Sequence, residues 1–299
     1  SKLVRPDVTI ITTIAAVHLE FFDSVGAIAE AKAEIFAGMS RHGVAILNRD
    51  NSWFATLAEI AWARGIENVI GFGEHPDAQV RLERYQPTDE GCDVGASIAG
   101  QNLRYRLAAR GRHAAINSLA ILAAVDALGV DINVAAATLA TLQPPKGRGR
   151  RSQVMTEGGS FLLIDDSYNA SPASMRAAFE VLATTPATQG RRIAVLGDML
   201  ELGDDAPRLH TALAGPLTEV GIDLVFTAGP NMSGLFDALP PAMRGGHAET
   251  SQELLAALQA RIATGDTVLV KGSLGSRMGL IVDALLENGD APPRVAQAG

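Results

Sequence analysis

Cysteine is nearly missing from this 299-residue sequence: Cys92 stands alone. A single thiol excludes an internal disulfide and a cysteine-built metal cluster, and a reducing, cytoplasmic setting is the simpler reading. Long apolar runs are missing too. The most apolar stretch, Ala114 to Val130, is broken by Asn117, Ser118 and Asp126, short of the roughly 18 apolar residues of a spanning helix. It reads as a buried helix, and no membrane insertion is expected. Positive charge is in deficit: 25 Lys and Arg face 33 Asp and Glu, a net charge of −8. That balance disfavours general binding to nucleic acid or to a membrane surface, while leaving room for a local basic pocket. No segment reads G-x-x-x-x-G-K-[ST], the loop that wraps phosphates in backbone amides. No basic leader with a cleavage site is expected. It opens at Ser1 without methionine and runs almost at once into a strand, so it reads as a fragment.

What is present suits a folded chain with two cores. Hydrophobic residues make up 47% and charged residues 19%, and the length accommodates two domains. Asp7 to Ile14 (DVTIITTI) is rich in β-branched residues and reads as a buried strand. After a loop with His18, Glu20 and Asp23, a helix is expected from about Val25 to Met39. Strands at 44–47 and 68–72 flank a helix over 53–64. From Val80 to Leu107, alternation punctuated by Gly91, Gly95 and Gly100 predicts a small antiparallel patch. Helices resume at about 113–128 and 132–142.

The stretch Gln143-Pro-Pro-Lys-Gly-Arg-Gly-Arg-Arg151 reads as a linker. Beyond it, strands at 161–165, 192–197, 222–227 and 266–271 each precede a helical pattern, the last at about 276–288. Strands alternating with helices imply a mostly parallel sheet. The expected fold class is α/β, with domains at 1–145 and 146–299.

One lysine breaks the pattern around it. Val25, Ile28, Ala29, Ile35, Phe36 and Met39 form the stripe of a core-facing helix, and Lys32 falls within it. A lysine so placed snorkels, makes an ion pair, or is chemically altered. Burial lowers an amine's pKa and leaves it neutral, able to take up carbon dioxide as a carbamate whose oxygens suit Mg2+. His18 could approach the same point at the carboxyl end of the preceding strand, where open α/β sheets place ligands. It could equally be a loop or capping residue.

Here the sequence resembles a known family. Val17-His-Leu-Glu-Phe-Phe-Asp-Ser24 with Ala31-Lys-Ala-Glu-Ile-Phe36 is similar to the magnesium and carbamoyl-lysine segment of the Mur ligases. Gly111-Arg-His113 with Asn117 resembles the next motif. Asp165-Asp-Ser-Tyr-Asn-Ala-Ser-Pro172, Ile193-Ala-Val-Leu-Gly-Asp-Met-Leu-Glu-Leu-Gly203 and Leu269-Val-Lys-Gly-Ser273 resemble its dipeptide-adding branch. The resemblance implies a truncated central ATPase domain followed by a Rossmann-like C-terminal domain. It also implies ATP and Mg2+ as cofactors, and UDP-N-acetylmuramoyl-tripeptide and D-Ala-D-Ala as substrates, in a cytoplasmic monomer.

The same resemblance implies roles for individual residues. His18 and carbamoylated Lys32 would hold Mg2+, with Glu20 in an outer position. Arg148 would reach the ATP phosphates, a role that suits a forked guanidinium; by itself it is also a solvated linker charge. Asn117 would contact the nucleotide, Asp165 the ribose, and Tyr168 and Asn169 would border nucleotide and dipeptide. Ser171, grouped with the substrate residues, also reads as a helix N-cap followed by Pro172. Lys271, Gly272 and Ser273 end a strand and would seat a substrate carboxylate on loop amides. His210 reads as structural. The sequence departs from the family in lacking the phosphate loop and in having Ala114 where the motif has asparagine, so the isolated chain is expected to be inactive. The alternatives are a Mur-type or folylpolyglutamate-type ligase for another amino acid, and a non-catalytic nucleotide- or peptide-binding module.

Overall fold

The computed structural model describes residues 1–16, 20–156, 158–185 and 190–290. It forms two compact units, Ser1–Gln143 and Pro144–Gly299.

The first unit holds a six-stranded sheet ordered β1-β2-β3-β4-β5-β6. Its strands are β1 (Val8–Ile11), β2 (Val44–Asn48), β3 (Asn68–Gly73), β4 (Val80–Thr88), β5 (Gly91–Ile98) and β6 (Gln101–Leu107). The first four run parallel in register with their neighbours, and β4-β5-β6 is an antiparallel meander. The expected antiparallel patch is therefore the far side of one mixed sheet, joined through two residue pairs, Phe72 with Val80 and Gly73 with Arg81. Alternation along β2 shows that both faces are covered. Ile46 enters one core with Leu119 and Leu122, whereas Ala45 and Leu47 enter another with Phe36 and Leu57. The helices are α1 (Val25–Ala33), α2 (Phe54–Ala63), α3 (Arg112–Ala127) and α4 (Ile132–Leu139).

Two expectations for this unit need correction. The first strand stops at Ile11 rather than Ile14. The helix expected to reach Met39 ends at Ala33 and tightens into a 3-10 turn over Glu34–Gly38. The buried set is Ile28, Ala29, Ala33 and Phe36, while Lys32, one helical turn after Ile28 and Ala29, is exposed. The sole cysteine lies in this unit, fully buried on β5 with its Sγ 3.5 Å from the Ala109 carbonyl oxygen. Burial, helped by the nearby Asp93 charge, pushes the Cys92 thiol up to about 11.

The second unit holds a sheet ordered β11-β10-β9-β12-β8-β7. These strands are β7 (Arg150–Thr156), β8 (Gly159–Asp166), β9 (Arg192–Gly197), β10 (Leu224–Ala228), β11 (Arg244–Ala248) and β12 (Thr267–Lys271). All run parallel except β7, which pairs antiparallel with β8 at one edge. Again both faces are apolar: Ala194 and Leu196 of β9 face one core, Ile193 and Val195 the other. The helices are α5 (Pro172–Thr184), α6 (Ala206–Thr211), α7 (Ala214–Glu219), α8 (Met232–Ala238), α9 (Ser251–Gln259) and α10 (Gly279–Asp290). The expected linker is shorter than 143–151, because Arg150 and Arg151 already belong to β7.

Among the described residues, no helix is long and apolar enough to cross a membrane.

Candidate functional site

The carboxyl ends of β8, β9 and β12 lie side by side, and the polar residues of the second unit gather there. Ladder pairing puts Lys271 beside Asp166 on one side and Leu196 on the other. The Lys271 side chain is only 3% exposed. A buried ammonium is costly unless it is paired and hydrogen-bonded. Here Nζ donates to Asp166 Oδ2 at 2.6 Å and to the Asn169 carbonyl oxygen at 2.9 Å. Lys271 thus ties the end of one strand to the loop leaving its neighbour. Asn169 is exposed, its own Oδ1 accepting the Ala170 N–H at 2.8 Å.

Asp165, one residue earlier, is turned inward. It is buried and both carboxylate oxygens are engaged: Oδ2 accepts the Gly147 N–H at 2.7 Å, and Oδ1 accepts the Ser167 hydroxyl at 2.6 Å and its N–H at 3.2 Å. Both oxygens of this residue, expected at the ribose, are turned into the fold. The partner segment, Gly147-Arg148-Gly149, returns two further bonds, Gly149 N–H to Asp165 O at 2.8 Å and Tyr168 N–H to Gly147 O at 3.0 Å. Gly147 and Gly149 have φ of +78° and +86°, backbone that side chains strongly disfavour. Between them Arg148 projects its guanidinium over the exposed ring of Tyr168, 4.4 Å from the centroid.

Around Lys271 the loop is tightly built. A Cβ on Gly272 would meet Met278 Cγ at 2.7 Å and Gly197 Cα at 3.1 Å, so only glycine fits. The Ser273 hydroxyl is buried and accepts the Leu200 N–H at 2.9 Å, while the Ser273 N–H donates to Asp198 O at 3.0 Å. The next residues form a 3-10 turn, Leu274–Ser276, and α10 starts only at Gly279 instead of near Gly275. Amides of Ser273, Ser276 and Arg277 are consumed by Asp198, Ser273 and Leu274 carbonyls. Gly272 and Ser273 therefore brace the loop against β9, and these amides are not offered to a carboxylate. Ser171 caps α5 in a reciprocal capping box with Ser174, with Pro172 at the helix start.

Two buried groups were missed or undervalued in the sequence. Asp198, at the end of β9, accepts the Met232 N–H at 3.1 Å and Asn231 Nδ2 at 3.3 Å, anchoring the start of α8. A carboxylate directly after a strand-ending glycine was the available signal. His210 is fully buried: its Nε2 accepts the Met199 N–H at 2.8 Å and its Nδ1 donates to Ala206 O at 2.6 Å. Burial pushes its pKa down, outweighing the Ala206 bond and the Asp198 charge, so the ring is a neutral strut, as its structural reading required.

In the first unit, the expected magnesium residues give a different picture. His18 lies outside the described residues, and Glu20 and Asn117 are exposed. Lys32 is exposed rather than buried, so the premise of a desolvated, reactive amine does not hold. Among the described residues there is no group of three or more His, Cys, Asp or Glu that could hold a metal. The described side chains do not by themselves build a magnesium site. Arg112, beside Gly111 at the start of α3, pairs with Glu74 through Nε at 2.9 Å and lies over the Tyr85 ring. Ala114, at the departed position, packs against the core that contains Leu119.

Two family models match the chain, the Mur ligase middle domain over residues 1–125 and the Mur ligase glutamate ligase domain over 150–274. The chain belongs to the Mur ligase family. This Mur ligase chain is 32% identical over 94% of its length to a UDP-N-acetylmuramoyl-tripeptide–D-alanyl-D-alanine ligase of Rickettsia prowazekii, covering 62% of that protein. It is 32% identical over 96% of its length to the Escherichia coli protein of the same name, again covering 62%. Among solved structures, MurF from Acinetobacter baumannii superposes with a TM-score of 0.84 at 29% identity, over 96% of this chain and 61% of that one. The chain thus spans about three fifths of the length of the relatives it matches.

Proposed function

We propose that this chain is part of an ATP-dependent ligase that adds D-Ala-D-Ala to UDP-N-acetylmuramoyl-tripeptide during peptidoglycan precursor synthesis, as a cytoplasmic monomer. Residues 1–145 are read as the later portion of the central ATP-binding domain and 146–299 as the C-terminal domain. The carrying observation is the cluster at the carboxyl ends of β8 and β12, where Lys271, Asp166 and Asn169 interlock beside the stacked Arg148 and Tyr168. It lies in the sequence segments that match relatives named for this reaction.

In that reaction the tripeptide carboxylate takes the γ-phosphoryl group of ATP, giving an acyl phosphate and ADP. The dipeptide amine attacks the acyl carbon, phosphate leaves, and an amide remains. Negative charge crowds this path, and cationic groups offset it. Arg148 is an exposed cation near the strand ends and serves the phosphates. Tyr168 and Asn169 border nucleotide and dipeptide from the loop that Lys271 pins, and Asn117 contacts the nucleotide from α3. The proposal that His18 and a carbamate on Lys32 serve Mg2+ rests on the family resemblance alone, since Lys32 is exposed here.

The test is substrate choice by the complete ligase that contains this chain. ATP turnover that depends on the tripeptide and D-Ala-D-Ala supports the reading. Turnover with a single free amino acid in place of the dipeptide would assign it to another branch. The 299-residue chain alone should not ligate, because phosphoryl transfer depends on a phosphate-positioning loop that its sequence lacks.

A further inference from the structure

Arg148 is held by an unusual amount of backbone for a residue in a segment rich in proline and glycine. The carboxylate of Asp165 takes the Gly147 N–H, the carbonyl of Asp165 takes the Gly149 N–H, and the carbonyl of Gly147 takes the Tyr168 N–H. These three bonds bracket Arg148 on both sides. Gly147 sits so close to Tyr168 that a Cβ would stand 2.9 Å from the tyrosine Cβ, which brings the Tyr168 ring under the guanidinium. Asp165 is itself fixed from the other side by Ser167. The Asp165 side chain is buried, and both its carboxylate oxygens accept hydrogen bonds from within the fold.

We propose that Asp165 is a positioning residue for Arg148: its carboxylate clamps the Gly147-Arg148-Gly149 segment to the end of β8, so that the guanidinium meets a phosphate with little reordering. This rests on the proposed ligase reading, in which Arg148 serves the phosphates. A flexible arginine must lose rotamer and backbone freedom when it engages an anion, and a clamp removes much of that loss in advance. Misplacing a positioned group by about 1 Å can cost about 100-fold in rate. The Tyr168 ring adds a second restraint without adding charge.

The test uses the complete ligase with its tripeptide, dipeptide and ATP, comparing Asp165→Ala, Arg148→Ala, the double variant and Asp165→Asn. Asp165→Ala should lower kcat about 10- to 100-fold, and the double variant should be no slower than Arg148→Ala, because one change has already removed what the other positions. Asp165→Asn keeps one acceptor oxygen for the Gly147 N–H and should recover part of the rate. Lys146→Ala, next to the clamp but bonded to Asp283, should leave kcat unchanged.

Losses that multiply in the double variant would overturn the proposal, as would a normal kcat in Asp165→Ala. If Asp165→Ala fails to fold, Asp165→Asn replaces it: a smaller loss of kcat is expected, with the Asp165→Asn, Arg148→Ala double variant no slower than Arg148→Ala, and losses that multiply would overturn the proposal. An active wild type with an unimpaired Arg148→Ala would remove the Arg148 role itself. An inactive wild type would instead strike at the ligase reading.

Discussion

The ammonium of Lys271 stands 2.6 Å from the carboxylate of Asp166, with the lysine side chain 3% exposed and the aspartate 26%. Removing one partner leaves the other charge in a site with little water, which costs far more than the pair is worth as a whole. Lys271→Ala should therefore destabilise the protein by about 1–3 kcal/mol. Combining Lys271→Met with Asp166→Asn removes both charges and keeps most of the volume, so the double variant should recover part of that loss. Urea unfolding midpoints check both; equal stability of Lys271→Ala and wild type would show that the pair is not a brace.

Glycine at position 272 is required by contact, not by backbone angle. Gly272→Ala pushes a methyl group into Met278 and the Gly197 backbone, an overpacking that costs about 1–3 kcal/mol. The same measurement checks it, and an unchanged midpoint would mean that the Met278 side chain yields freely.

His210 gives the second unit a pH dependence of fixed sign. Its pKa falls below the ordinary 6.5 through burial, so between the lowered value and 6.5 the unfolded chain binds the extra proton and the folded chain does not. Stability should be complete above about pH 6.5 and decline as pH drops below it. Thermal unfolding between about pH 7.5 and about pH 5.5 should show the decline, and His210→Gln should flatten it. A steeper decline in the variant would contradict the strut.

Lysine chemistry separates the four lysines. Lys2, Lys32 and Lys146 are exposed and Lys271 is buried. With the folded 299-residue chain, an amine-acylating reagent should label Lys32 at a rate like that of Lys2, and Lys271 only after unfolding. Protection of Lys32 at neutral pH would reinstate a covered or modified amine at that position.

Much of the fold was legible because long β-branched runs alternate with helical patterns, as in 192–197 and 267–271. What escaped notice was composed differently. β11, Arg244-Gly-Gly-His-Ala248, has no β-branched residue; it forms because Gly245 leaves room for the Phe226 ring, which a Cβ would meet at 2.6 Å. β7 carries two arginines and buries only Val154, since an edge strand needs just one apolar anchor. Lys32 misled because a helical stripe does not by itself report burial: this residue lies in α1 one turn after Ile28 and Ala29, yet it is exposed. At Asp165, position at a strand end reveals a carboxylate, but not that it bonds Gly147 and Ser167.

The solitary thiol of the first unit follows from the same sheet. Cys92 is buried on β5 against the Ala109 carbonyl, and its raised pKa keeps it almost wholly protonated at neutrality. Alkylating agents should therefore reach it only when the meander parts from α3, so the rate of its modification times that opening, an internal clock needing no added label.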